Sequence, residues 1–222
     1  MPTSTWERLD PQRRERVLRA AMQEFGRHGY STGSLNVIAR EAGVAKGSLF
    51  QYFADKFDFF SYTAERTSLA IQAELRGWLT GPGAGQSFSD FLFAAVRAWI
   101  DYFEAHPLER AVMAASNLEL DPVVRQAVRA PVHQIYVESL RPILRSAVAD
   151  GALAANADID ALLCLLLLLL PHLALAPFEP ALDPAIPLYG KRGADLDDVV
   201  RRLLGATLAA FVNPAVTTPW RP

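Results

Sequence analysis

Residues 34–53 read SLNVIAREAGVAKGSLFQYF, and this stretch decides the fold of the N-terminal part of the chain. It contains two short helical patterns on either side of Gly43. The apolar residues of each pattern share one side, and they are Ile38, Ala39 and Ala42 in the first helix and Leu49 and Phe53 in the second. Glycine adopts positive φ at little cost, so Gly43 suits a tight turn between two packed helices. The stretch therefore predicts a helix-turn-helix, whose second helix fits the major groove of DNA.

The outward side of the second helix carries side chains suited to that role. Lys46 can donate to O6 and N7 of guanine, Gln51 can pair with adenine, and Ser48 can bond to bases or phosphates. Gly47 has no side chain and lets the backbone come close to the DNA. A solvated helix face is the alternative interpretation of these polar residues, and the sequence leaves it open.

The longer span 17–60, VLRAAMQEFGRHGYSTGSLNVIAREAGVAKGSLFQYFADKFDFF, closely resembles the N-terminal domain of the tetracycline-repressor (TetR) family. The matching positions include the Ala-Ala pair and the phenylalanine of the first helix, followed by Gly29, Tyr30, Ile38, Ala39, Ala42, Gly43, Val44, Lys46, Gly47, Leu49, Tyr52, Phe53 and Lys56. Similarity is not evident after residue 60, where only the number and lengths of the helices agree. The resemblance implies a dimeric transcription factor, usually a repressor, that a small molecule bound in the C-terminal domain releases from DNA.

The resemblance also implies a set of DNA-contacting residues. They are Ser34, Asn36, Lys46, Gly47, Ser48, Gln51, Tyr52 and Lys56. Asn36 and residues 46–48 would lie at or near bases, whereas Tyr52 and Lys56 would contact phosphates.

Two positions depart from the family pattern. Ala45 stands where serine or threonine usually caps the second helix, and loss of such a cap costs about 0.5–2 kcal/mol. Phe50 stands where the family commonly has tyrosine. We expect Phe50 to pack or to contact a thymine methyl group.

Composition limits the classes of protein that the chain can represent. The chain has 222 residues, 51% of them hydrophobic and 21% charged, which is typical of a globular protein with a buried core. Its net charge is −2, but residues 1–60 hold nine Lys/Arg and seven Asp/Glu, so a nucleic-acid contact is expected at this end. A single cysteine, Cys164, and an N-terminus without an apolar signal region favour a cytoplasmic protein.

Helical periodicity runs through the whole chain and predicts an all-α fold. The expected helices are 10–28, 34–42, 45–53, 55–79, 88–105, 107–118, 121–150, 158–176 and 195–213. Gly29, Gly43 and Gly151 are expected helix stops. We predict two domains: a three-helix DNA-binding domain with the helix-turn-helix at 1–56, and a helical effector-binding and dimerisation domain at 57–222.

A second set of residues, on the predicted C-terminal helices, suggests an effector pocket. The apolar and aromatic members are Trp99, Tyr102, Phe103, Met113 and Tyr136, and the polar candidates are Asn117, His133 and His172. Ligand cavities are mostly apolar with a few polar groups. Pro171 leaves the carbonyl of Leu167 without its helical donor and should kink that helix. Core packing is the alternative for each residue alone.

Residues 161–176, ALLCLLLLLLPHLALA, are apolar around the whole helix circumference. A membrane-spanning helix needs about 20 apolar residues, so this run is too short and we expect no membrane segment. One side of this helix can face the core, and the other can face a second copy of the chain. This predicts a homodimer in which this helix and the last helix of each copy pack together. The predicted interface residues are Leu163, Leu166, Leu170, Val200, Leu204, Leu208 and Phe211.

No pattern in the chain indicates catalysis. The four histidines are scattered, and no His/Cys pair has metal-ligand spacing. We therefore expect no catalytic residue, no metal and no cofactor. The sequence predicts a cytoplasmic, ligand-responsive regulator, most simply a repressor, that binds a pseudo-palindromic double-stranded operator as a homodimer. A small, largely apolar effector would release it. A constitutive DNA-binding protein with a filled core and a membrane-anchored regulator are the alternatives.

Overall fold

The computed structural model describes residues 2–183 and 185–215, and these residues fold into an all-α chain, which confirms the predicted class. The helices over these residues are α1 (Ser4–Glu7), α2 (Pro11–Thr32), α3 (Leu35–Ala42), α4 (Lys46–Tyr52), α5 (Lys56–Glu74), α6 (Phe88–Ala105), α7 (Pro107–Asn117), α8 (Pro122–Ala149), α9 (Ile159–Leu175) and α10 (Gly193–Leu208). Pairing of β type is limited there to an isolated bridge between Leu153 and Val212.

Several helix boundaries follow from local sequence signals. Asp10 precedes Pro11, and its carboxylate accepts a hydrogen bond from the amide of Arg13 at 3.1 Å, which caps α2. Asp158 caps α9 in the same way through the amide of Ala161 at 3.0 Å. These contacts satisfy amide groups that the first helical turn leaves without a partner.

Other boundaries differ from the sequence expectation. Helix α1 is absent from the predicted set, because four residues are too few to show a helical period. Helix α5 ends at Glu74, since Arg76–Leu79 tightens into a 3-10 turn. Gly29 has φ +67° and interrupts the helical backbone as expected, but the chain resumes a helical turn as far as Thr32. Helix α9 continues through Pro171 to Leu175.

Backbone packing divides the chain into two compact units. The first comprises the described residues up to Ala73 together with His106–Val132, and the second comprises Glu74–Ala105 and the described residues from His133 onward. This is a different division from the one predicted at residue 56. The boundary at residue 56 concerns function rather than packing, and it stays a prediction of where the DNA-binding domain ends.

The first unit is built around α2. This helix packs against α3 and α7, while α4 packs against α3 and α1. The core contains large side chains from all of these helices and from α5 and α8, among them Trp6, Phe25, Ile38, Leu49, Phe53, Phe59, Phe60, Val112 and Val124. The helix-turn-helix therefore shares one continuous core with α7 and the start of α8.

Helices α2 and α7 approach each other closely where Gly26 faces Ala111. A methyl group added at Gly26 would lie 2.7 Å from the Cβ atom of Ala111 and 3.2 Å from its carbonyl carbon. Such contacts are too short for carbon atoms. Glycine at position 26 is therefore what allows α2 and α7 to pack at this distance.

In the second unit, α6 packs against α9 and α10, and α9 packs against α10. The guanidinium of Arg97 on α6 forms an ion pair with Asp197 on α10, with Nε and Oδ1 2.8 Å apart. Trp99 of α6 donates from Nε1 to the carbonyl oxygen of Leu170 on α9 at 2.8 Å. Buried apolar side chains fill the space between these three helices.

The residues predicted at the dimer interface lie mostly inside the second unit. Leu163, Leu166, Val200, Leu204, Leu208 and Phe211 are all buried within the chain, and Leu170 is half-buried. Buried side chains have almost no accessible area to lose to a partner, so this choice of residues needs correction. Helical periodicity correctly placed these residues on one side of their helices, but that side faces the chain's own core.

The opposite side of α9 exposes apolar residues instead. This exposed stripe consists of Cys164, Leu165 and Leu168, and Leu168 is 68% exposed. Over the residues that the structure describes, no helix combines the length and hydropathy that crossing a membrane requires.

Candidate nucleic-acid interface

The turn between α3 and α4 is built as the sequence predicts. Gly43 ends α3 in the left-handed conformation, with φ +66° and ψ +38°. The amide of Val44 then donates to the carbonyl of Ala39 at 2.9 Å, which closes the turn. Ile38 and Leu49 are buried between the two helices. This packing holds α4, the recognition helix, against α3 and leaves its other side exposed.

The exposed side of the recognition helix carries most of the predicted base-contacting groups. Lys46, Gly47 and Gln51 are exposed, and Asn36 on α3 is exposed as well. Ser34 and Ser48 are half-buried. Phe50 is 50% exposed on the same helix, so its ring is available for an apolar contact. Lysine, amide and hydroxyl groups there can donate to and accept from the base edges of a major groove.

The two predicted phosphate contacts, Tyr52 and Lys56, have partners within the chain. Tyr52 is only 3% exposed, and its ring centroid lies 5.6 Å from that of Trp6. The Lys56 ammonium donates to the carbonyl of Ser31 at 3.1 Å and lies 5.0 Å from the ring centroid of Tyr30. Both phosphate contacts remain predictions. Because Tyr52 is buried, little of its surface is available to a phosphate group.

Lys56 also lies in a mixed electrostatic environment. Partial burial lowers the pKa of the Lys56 ammonium below its usual value, while the carboxylates of Glu119 and Glu24 act in the opposite direction. Desolvation disfavours the charged form and nearby carboxylates favour it. Lys56 as a whole residue is half-buried.

Two buried carboxylates hold the segment that leads from α2 into α3. Glu24 accepts from the amide of Ser34 at 2.8 Å. Glu119 accepts from the amide of Tyr30 at 2.9 Å and from the hydroxyl of Ser31 at 3.0 Å. The Ser34 amide lies at the start of α3 and the Tyr30 amide directly follows the break at Gly29, so each lies where a helical acceptor is missing.

Burial and hydrogen bonding act against each other on Glu119. Desolvation raises the pKa of its carboxyl, but hydrogen bonds from the amides of Asp121, Tyr30 and Leu120 and from the hydroxyl of Ser31 outweigh it. The net pKa of Glu119 is therefore lower than usual. Sequence reasoning missed Glu119, because its partners are close only after folding.

The N-terminal segment holds the other end of the recognition helix. Thr3 donates from its amide to the carbonyl of Tyr52 at 2.9 Å and from Oγ1 to the carbonyl of Gln51 at 2.6 Å. Trp6 is buried, with ring centroids of Phe53 and Tyr62 at 4.9 and 5.7 Å. Its Nε1 donates to the hydroxyl of Tyr62 at 3.0 Å. The sequence signal for this buried contact was a single tryptophan, Trp6, among mostly polar residues.

The predicted effector residues are divided between the two units. Four of them form an aromatic cluster in the second unit: Trp99, Tyr102, Phe103 and Tyr136. The ring centroid of Trp99 lies 4.9 Å from that of Phe103 and 5.8 Å from that of Tyr136. The ring centroids of Tyr102 and Phe103 are 5.3 Å apart. Desolvation and the neighbouring Tyr102 raise the pKa of the Tyr136 hydroxyl above its usual range. This hydroxyl stays neutral and can act as a hydrogen-bond donor.

The remaining candidates have other neighbours. His172 forms a hydrogen bond through Nε2 with Asp183, and His133 is half-buried in the same unit. Met113 and Asn117 belong to the first unit, where the Asn117 side-chain amide donates to the carbonyl of Met113 at 2.9 Å. A single pocket formed by all eight residues stays a prediction.

Comparisons with known proteins agree with the geometry of the first unit. Residues 17–63 match the family model described as bacterial regulatory proteins, tetR family. The regulator HbdR of Aromatoleum sp. (strain CIB) is 34% identical over 74 residues, which are 33% of this chain and 32% of that protein. The chain thus aligns with about a third of the length of this curated relative.

Two further matches extend over more of the chain. The probable acrEF/envCD operon repressor of Escherichia coli (strain K12) is 20% identical over 168 residues, covering 69% of this chain and 70% of that protein. A complex of triclosan with SmeT, the repressor of a multidrug efflux pump of Stenotrophomonas maltophilia, has a TM-score of 0.69 at 23% identity and covers 95% of this chain and 96% of that one. This likeness shows that the fold is shared. Residues 17–63 therefore match the N-terminal domain of the tetR family of bacterial regulatory proteins.

Proposed function

We propose that the protein is a cytoplasmic transcriptional regulator that binds double-stranded operator DNA through α3 and α4. The observation that carries the proposal is the two-sided recognition helix. One side is buried in the first unit, and the other exposes Lys46, Gly47 and Gln51. These exposed residues contribute nothing to the core, and a lysine donor, a glutamine amide and a glycine without a side chain on this side of the helix suit contacts with base edges.

The protein is proposed to act as a homodimer on a pseudo-palindromic site. The exposed stripe on α9 offers apolar area that folding of the chain leaves uncovered. On α10 and just beyond it, Ala206, Ala209 and Ala210 are exposed small residues that permit close approach of a second helix. A two-fold interface would place two recognition helices about 34–36 Å apart, one turn of duplex DNA. A stable dimer of this kind buries on the order of 2,000 Å² or more.

A small, largely apolar effector is proposed to release the protein from DNA. The aromatic cluster in the second unit provides apolar surface next to the neutral hydroxyl of Tyr136, a combination typical of ligand sites. SmeT, which shares the fold, has a solved structure in complex with triclosan. An effector that prefers one arrangement of the dimer shifts its population and weakens operator binding, with a coupling of about 1–3 kcal/mol.

A constitutive DNA-binding protein is the second candidate. It is favoured by the burial of Trp99, Tyr102 and Phe103, which fill the interior of the second unit as ordinary core residues would. Both candidates share the DNA-binding step and differ only in the effector.

Selection of bound duplexes from a random DNA library tests the first step. We expect a motif with two related half-sites. A screen of apolar and aromatic small molecules for release of the selected duplex then separates the two candidates. Binding without any sequence preference would contradict the proposed function.

A further inference from the structure

The recognition helix lacks the usual support at its N-terminus. It has seven residues, and Ala45 at its N-cap makes no side-chain hydrogen bond. Short helices are marginal on their own, because few intrahelical bonds offset the entropy of ordering the backbone. The position and order of this helix must therefore depend on contacts made elsewhere.

Besides its packing against α3, α4 has a second set of contacts at its C-terminal end. The last carbonyl groups of a helix have no helical donor. Thr3 supplies two donors there, its amide to Tyr52 and its hydroxyl to Gln51, at 2.9 and 2.6 Å. One residue outside the helix-turn-helix thus satisfies two consecutive carbonyls of the recognition helix.

Trp6 fixes Thr3 in place. Its ring is 2% exposed, and its centroid lies 4.9 Å from that of Phe53, which directly follows α4. The hydrogen bond from Nε1 to the Tyr62 hydroxyl ties the same ring to α5. Because α1 begins at Ser4, directly after Thr3, the buried ring and the two donors are parts of one short rigid segment.

We infer that Thr3 and Trp6 form an N-terminal clasp whose function is to position the recognition helix for sequence reading. Thr3 is the positioning residue, and it acts through Gln51, whose side chain is one of the proposed base contacts. The clasp compensates for the missing cap at Ala45. This inference rests on the proposed DNA-binding function, because position matters only if the helix reads DNA.

Variants of Thr3 separate the two hydrogen bonds. Thr3→Val removes the hydroxyl and keeps the amide, and Thr3→Ser retains both donors. Thr3→Pro removes both donors, and the φ of −79° at this residue is one that proline adopts. Thr5→Val is the matched control, since Thr5 is an exposed threonine two positions along on α1.

The first measurement is the ratio of affinities for the selected duplex and for a scrambled duplex at one salt concentration. Removal of one or two hydrogen bonds should lower this ratio roughly three- to tenfold in Thr3→Pro and by less in Thr3→Val. Thr3→Ser and Thr5→Val should behave as wild type. The second measurement is hydrogen exchange of the amides of residues 50–53, which should be faster in Thr3→Pro.

The outcomes judge the clasp and the proposed function separately. If Thr3→Pro lowers the melting temperature but leaves both the affinity ratio and the local exchange unchanged, the segment only adds stability and the inference is overturned. If wild type binds all duplexes alike, the proposed function fails. Exchange at residues 50–53 then tests only whether Thr3 orders the end of α4. Unchanged exchange overturns the inference, and faster exchange supports a clasp that orders the helix but has no role in sequence reading.

Discussion

The carboxylate of Glu119 accepts a hydrogen bond from the backbone amide of Tyr30 at 2.9 Å, although 89 positions separate these residues in the sequence. The same carboxylate accepts from the Ser31 hydroxyl, so the loop between α7 and α8 is bonded to the segment that precedes α3. Both residues belong to the first compact unit. The orientation of the helix-turn-helix therefore depends on a residue far outside the matched family domain.

Glu119→Gln should destabilise the first unit at neutral pH by about 1–3 kcal/mol, because an amide cannot accept from all of the donors that surround the carboxylate. The folded-state pKa of Glu119 is below its usual value, so its stabilisation is complete above the ordinary glutamate pKa of about 4.3. It is lost as the pH falls through the lower folded-state pKa. Denaturant unfolding at several pH values should show the difference from wild type shrinking in that acidic range. Glu65→Gln, at an exposed position of α5, is the control and should show no such trend.

Gly26→Ala should destabilise the chain by about 1–3 kcal/mol, even though alanine is the better helix former. The added methyl group would meet Ala111 at 2.7 Å and force α2 away from α7. Urea unfolding measures the effect. Gly77→Ala is the control, because a methyl group there would have no neighbour within 4 Å. Equal stability of the two variants would mean that α2 and α7 do not depend on this close approach.

Lys46→Ala should weaken binding to the selected operator by about 1–3 kcal/mol and relax base preference at one position of each half-site. The reason is the removal of a donor on the exposed side of the recognition helix. Repeating the DNA selection with the variant measures both effects. Lys191→Ala, in the second unit, should leave the motif unchanged. An unaltered motif with Lys46→Ala would show that the recognition side is wrongly assigned.

Lys56→Ala should weaken all duplexes alike, as expected for a side chain that binds phosphate. A plot of log affinity against log salt concentration should become flatter by about 0.9 for each phosphate that is no longer neutralised. Lys56 also donates to the Ser31 carbonyl, so the stability of the variant needs to be measured beside its affinity. Weaker binding at an unchanged salt slope would assign Lys56 to folding alone.

Leu168→Glu should yield folded monomers that no longer bind the operator. The side chain is 68% exposed in the single chain, so the charge costs little until a second copy covers it. Sedimentation velocity measures the state of assembly, and Leu182→Glu, in a loop of the second unit, is the control. By contrast, a charge at the buried Leu204 should unfold the chain. A dimeric Leu168→Glu would move the interface away from the exposed stripe.

Local sequence patterns determined the helices and the turn of the DNA-binding motif. Gly43, the buried pair Ile38 and Leu49, and the capping residue Asp10 act through neighbours within a few positions, so their roles can be predicted from spacing and residue type alone. The exposed position of Lys46 follows from the same periodicity.

Only the tertiary structure decided which apolar side of α9 faces the interior and which residues support the recognition helix. A helix that is apolar all round has two equivalent candidate sides, and packing against α6 and α10 selects the side that contains Leu166. The contacts of Thr3 with Gln51 and of Glu119 with Tyr30 join residues 48 and 89 positions apart. Hydrogen bonds over such separations leave no periodic trace in the sequence, because only the packed chain brings their partners together.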